Sequence, residues 1–188
     1  EFYNELYPDC DDTAEILIFL DRVNLPDYHR KLKDSERALS WLLSMQSKAG
    51  GWGAFDIDND QDLLNQVPFA DHGAMLDPPT ADVSGRVLWM LGRLGFNREH
   101  KQVRQVIDFI KSKQEVNGSW WGRWGVNYIY GTWLALFGLR SIGEDMSQPF
   151  IHRAVSWYEE KQNEDGGWGE TCGSYTDPLQ AGKGKSTV

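Results

Sequence analysis

Three aspartates within four residues, Asp9, Asp11 and Asp12 of the run Asp9-Cys10-Asp11-Asp12-Thr13-Ala14, are the side chains here best suited to do chemistry. They follow Pro8 and lead into an apolar stretch. One carboxylate at such a place caps a helix and suits the positive end of its dipole. Three crowd like charge, and crowding and burial both raise a carboxyl pKa until one member keeps its proton at neutral pH. The helix dipole pulls the other way. The run reads as a Brønsted acid, with a set of magnesium ligands as the competing use.

The elements that position this acid follow from a repeat. Gln46, Gly50 and Trp52, then Gln114, Gly118 and Trp120, then Gln162, Gly166 and Trp168 form three Q-x-x-x-G-x-W units. Trp41, Phe109 and Trp157 stand five residues before each glutamine, and Ala38, Val106 and Ala154 eight before it. Each unit reads as an amphipathic helix closed by a glycine turn. Val103, Val106, Ile107 and Ile110 fall on one helical face of residues 103 to 114. The Gln amide is expected to bond the frayed helix carbonyls while the Trp ring covers the helix end. Both residues are structural on this reading.

Between these helices lie residues 12 to 25, 82 to 95 and 126 to 142, the first and last apolar nearly all round. A helix apolar on every face is buried. The alternation predicts an all-α chain of inner and outer helices, part of a closed α/α (toroid) barrel, with an open solenoid as the alternative. The loop of residues 53 to 81 carries Asp56, Asp58, Asp60 and Asp62. An EF-hand would need Gly where Gln61 stands and Glu where Val67 stands, so a solvated or helix-capping loop is expected instead.

Composition excludes several classes. With 28 acidic and 19 basic side chains the net charge is −9, and no basic stripe offers itself to nucleic acid or anionic lipid. The two cysteines cannot frame a disulfide scaffold, and no Cys/His spacing suits zinc. No run approaches the ~18 apolar residues of a membrane span, and no signal peptide opens the sequence. The chain starts at Glu1 without methionine and stops at Lys185-Ser186-Thr187-Val188, so it reads as an excised segment.

The D-x-D-D-T-A run together with the Q-x-x-x-G-x-W series resembles the triterpene cyclases, and squalene–hopene cyclases in particular. The likeness includes Gly50-Gly51-Trp52-Gly53-Ala54-Phe55-Asp56, Gly122-Arg123-Trp124-Gly125-Val126-Asn127-Tyr128, Gly166-Gly167-Trp168-Gly169-Glu170 and Ala181-Gly182-Lys183-Gly184. It implies that residues 1 to 188 are an incomplete segment of the catalytic barrel, with the second barrel and both chain ends absent and the segment alone inactive. It implies Asp11 as the general acid that protonates squalene, with Asp9 and Asp12 flanking it. Phe55 and Trp124 match aromatics that stabilise the cations. Arg86, four residues after Asp82, stands where some members have a His paired with the acid. A guanidinium there favours the carboxylate, so its field must be offset by Asp82 or the other aspartates. The resemblance further implies polycyclisation to a pentacyclic hopene or hopanol, no cofactor and no metal. It implies monotopic contact with the cytoplasmic side of a membrane, and a homodimer as the candidate assembly.

The residues suit such chemistry. A carbocation reached by water is quenched, so the cavity must be dry, and aromatic faces stabilise positive charge by about 0.5–2 kcal/mol each without bonding to it. Tetrahymanol-forming cyclases share the substrate. Class II diterpene cyclases share the acid motif but take a diphosphate and lack this repeat series. Oxidosqualene cyclases share the repeats but typically carry a single aspartate before Cys-Thr. A helical-repeat scaffold has no use for three crowded aspartates.

Overall fold

The computed structural model describes residues 8–24, 26–60 and 76–186. Six α-helices occupy them: α1 (Cys10–Arg22), α2 (Tyr28–Ser44), α3 (Ala81–Arg93), α4 (Lys101–Ser112), α5 (Tyr128–Ser141) and α6 (Pro149–Lys161). Two short 3-10 turns, Cys172–Tyr175 and Pro178–Gln180, follow. No strand forms among the described residues. Two isolated bridges, Trp52 with Thr80 and Asn59 with Asp77, tie the long loop at its ends.

The helices alternate between two layers. α3 lies between α1 and α5, and α2, α4 and α6 each back onto the inner helix before them. This is the inner and outer succession of an α/α barrel. Val103, Val106, Ile107 and Ile110 of α4 are all buried, as their spacing predicts. They meet Val87, Leu88 and Leu91 of α3 in one core that also takes Leu17 and Ile18 of α1. Each such side chain contributes about 1.5–3 kcal/mol by leaving water. The closest approach is between α3 and α5, where a Cβ on Gly85 would stand 2.6 Å from the carbonyl of Leu134.

Among the described residues α1 and α5 are each buried on one side and exposed on another. Ile16 and Phe19 of α1 are 57% and 60% exposed, and Trp133 and Phe137 of α5 about 40%. Their apolar periodicity covers two faces, and only one of them meets a neighbour among the described residues.

The repeat units divide their labour differently from the expectation. The indole N–H, not the Gln amide, bonds the open helix end. Trp52 Nε1 donates to the Leu42 carbonyl (2.7 Å), Trp120 Nε1 to Ile110 (2.7 Å) and Trp168 Nε1 to Tyr158 (2.9 Å). Each acceptor lies in the last turn of the preceding outer helix, where carbonyls have no helical partner. The Gln amide closes its own turn instead, donating to Gly50, Gly118 or Gly166 at 2.7, 2.8 and 2.7 Å. Gln46 and Gln114 then reach on to carbonyls in the first turn of the next outer helix, Gln102 at 3.0 Å and Phe150 at 2.7 Å. These side chains clasp one repeat to the next.

Candidate active site

Asp9 and Asp11 flank the start of α1 and do different work. The Asp9 carboxylate accepts the Asp12 N–H at 3.0 Å and is the N-cap of the helix. Asp11 sits in the first turn with its side chain 22% exposed, facing α3. The Asp12 side chain is exposed. The start of α1 is moored to the first clasp by Cys10 N–H donating to the Ala54 carbonyl at 2.7 Å.

Arg86 of α3 reaches this cluster. Its Nε donates to Asp11 Oδ1 at 3.1 Å, its Nη1 to Glu15 Oε2, and its Nη2 to the Tyr130 hydroxyl at 2.9 Å. The guanidinium carbon also stands 6.0 Å from the Trp133 ring centre. One planar cation thereby joins α1, α3 and α5. Burial pushes the Asp11 carboxyl up to about 6, against the pull of Arg86 and with the help of the Asp82 and Asp9 charges. Burial also raises Asp9, although its bonds to backbone N–H groups oppose this. Arg86 keeps its charge because Asp11, Tyr130 and Glu15 outweigh the effect of burial.

The charge of Asp82 raises the Asp11 carboxyl against Arg86, as does that of Asp9, although Asp82 makes no bond to Arg86 among the described residues. Asp82 is buried, and its Oδ2 accepts the backbone N–H groups of Arg123 (2.8 Å) and Trp124 (2.9 Å). Its Oδ1 has no hydrogen-bond partner among the described residues. Spending the carboxylate on the loop fixes the loop, and so fixes Trp124. Asp77 does the same for the first clasp, accepting from Ala54 (3.1 Å), Phe55 (2.5 Å) and Asp56 (2.8 Å). The two loops bring Phe55 and Trp124 together edge to face, ring centres 5.7 Å apart at 88°. Tyr130 lines an apolar groove of about 370 Å³ with Val126, Ile129, Trp133, Tyr158 and Trp168.

The structure therefore gathers Asp9, Asp11 and Arg86, and sets Phe55, Trp124 and Asp82 beside one another. Glu15, Tyr130, Asp77 and Glu170, which accepts from Ile129 N–H at 2.8 Å, were not singled out in the sequence. Only Glu15 carried a local signal, four residues after Asp11 on the same helical face. Among the described residues no three His, Cys, Asp or Glu side chains stand close enough to hold a metal ion. Asp58 of the long loop accepts from Ser47 Oγ and Lys48 N–H, bracing the turn after α2 rather than capping a helix, while Asp62 lies outside the described residues. No helix among the described residues is long and apolar enough to cross a membrane.

This helical arc has known counterparts. The sequence profile of the squalene-hopene cyclase C-terminal domain matches residues 1–188, and the chain belongs to that family. It is 48% identical over 177 residues to the squalene–hopene cyclase of Zymomonas mobilis, covering 93% of this chain and 27% of that protein. It is 43% identical over 202 residues to the dammaradiene synthase of Dryopteris crassirhizoma, covering 98% of this chain and 30% of that protein. The type II terpene cyclase MstE from Scytonema shares the fold at a TM-score of 0.63 and 21% identity, over 92% of this chain and 46% of that one. The chain thus spans less than a third of the length of these curated relatives.

Proposed function

We propose that this chain forms part of a squalene cyclase of the squalene–hopene type, with Asp11 as its Brønsted acid. The π electrons of the terminal double bond take the Asp11 proton. A C–H bond forms, and a tertiary carbocation and the Asp11 carboxylate remain. Successive double bonds then attack the cation and close the rings. The cascade ends by loss of a proton from carbon, giving hopene, or by capture of water, whose oxygen then loses a proton, giving hopanol. Asp9 and Asp12 flank the acid, and Asp82 holds Trp124 in place. Phe55 and Trp124 offer ring faces to positive charge, each contributing about 0.5–2 kcal/mol.

The observation that carries this reading is Asp11 itself. Its carboxyl is raised to about 6 and held on a frame of three helices, so it is a proton donor fixed in direction. Nothing in the step calls for a cofactor or a metal. The substrate class follows from the family and from the apolar, aromatic setting. The same reading makes residues 1–188 alone inactive, and gives the whole enzyme a monotopic seat on the cytoplasmic side of a membrane and a homodimeric assembly.

The test is Asp11→Asn in the full-length enzyme carrying this stretch, with products from squalene read by gas chromatography. Turnover should fall about 10²–10⁴-fold, the range for a lost general acid. Because the protonated form is the active one, parent activity should be present below a pH of about 6 and decline as pH rises through it. Retained turnover in the variant would sink the acid assignment.

A further inference from the structure

We propose that Glu15 is the resident counter-ion of Arg86, a positioning residue that leaves Asp11 free to hold its proton. The inference rests on the reading of Asp11 as the acid. Asp11 and Glu15 are four residues apart on α1 and so share the face turned to α3. Arg86 meets both through different nitrogens, Nε to Asp11 at 3.1 Å and Nη1 to Glu15, while Nη2 goes to Tyr130. The bond to Asp11 is thus single, not the two-pronged grip that a guanidinium gives a sole carboxylate partner.

Charge counting decides between the two carboxylates. The charged and titratable groups around Asp11 are Asp9, Asp12 and Glu15 of the α1 segment, Asp82 and Arg86 of α3, and Tyr130 of α5. With Asp11 protonated, Arg86 and Glu15 form a neutral pair. With Glu15 removed, the nearest carboxylate able to balance Arg86 is Asp11, and the guanidinium then holds it ionised. Asp82 raises Asp11 by its charge but does not bond Arg86, since its Oδ2 serves the backbone of Arg123 and Trp124. The Glu15 side chain is 52% exposed against 12% for Arg86, so the carboxylate lies at the edge of the cluster while the cation is buried within it.

The experiment is the pH profile of squalene turnover for Glu15→Gln in the full-length enzyme. The alkaline limb should move to lower pH by about one unit, which is about a tenfold loss at neutral pH that recovers on acidification. The limb's position does not depend on how much enzyme is folded, so a lower yield leaves the reading intact. In an Arg86→Met background the same substitution should no longer move the limb. A limb coincident with the parent's, a loss equal at every pH, or an equal shift with and without Arg86 would each overturn the proposal. If Asp11→Asn abolishes turnover and Glu15→Gln leaves the limb unmoved, the counter-ion role alone fails. If Asp11→Asn retains turnover, the acid reading has failed beneath it.

Discussion

The first two clasps and the third are built from the same residues and end differently, since among the described residues an outer helix follows each of the first two and none follows the third. Trp52 and Trp120 are fully buried, and Trp168 is 40% exposed. All three indoles hold a helix carbonyl and all three glutamines close their own turn. Trp52 N–H also meets Ser84 Oγ, and Trp120 N–H meets Thr132 Oγ1, each on the next inner helix. Gly50 and Gly118 press on the backbone of the next outer helix, where a Cβ would come to 2.5 Å from the Gln105 carbonyl and 2.6 Å from that of Arg153. Gly166 has nothing within 4 Å. The clasp is thus two devices in one motif. Its inner half closes a helix by local spacing, and its outer half exists only against another repeat.

Substitutions along the motif can break or sharpen this division. The largest effect is expected at the tryptophans: Trp120→Ala should cost about 3–5 kcal/mol through the cavity and the lost indole bond to the Ile110 carbonyl. Trp168→Ala should cost less than half as much, and equal losses in denaturant melts would contradict the comparison. Next come the glycines, all three with φ between +83° and +97°. Gly118→Ala meets backbone as well as an unfavourable φ and should cost about 2–3 kcal/mol, against about 1 kcal/mol for Gly166→Ala. The thermal midpoint distinguishes them. The smallest contrast is at the glutamines. Gln114→Leu loses bonds to Gly118, Phe150 and Arg153, about 1–3 kcal/mol, whereas Gln162→Leu loses one bond, about 1 kcal/mol. Hydrogen exchange of the Gly118 and Gly166 turns would show it.

What could be read from the sequence was whatever repeats or stands close along the chain. The helices read from spacing at residues 12 to 25, 82 to 95, 103 to 114 and 126 to 142 fall within about three residues of their expected ends. Asp9 and Asp11 announce themselves by crowding. Asp77 and Glu170 do not, since each serves backbone more than 20 residues away and no periodicity marks such a pair. Tyr130 reads as one more apolar-helix aromatic until α5 is laid against α3. Spacing offers Asp82 or the other aspartates as the offset to Arg86, and the charges of Asp82 and Asp9 do raise Asp11, while the guanidinium itself extends away from its own helix toward Glu15 and Tyr130. The exposed faces of α1 and α5 show the same limit, because hydrophobic periodicity says which faces want cover without saying where the cover is.

The forward reach of Gln46 and Gln114 gives the array a direction. Each glutamine finds its second carbonyl in a helix that lies later in the chain, and neither reaches back. During synthesis a repeat is therefore latched only when its successor leaves the ribosome, and the youngest repeat is always the unlatched one. Moving a repeat to the other end of the chain would conserve every residue and still reverse the order in which the latches close.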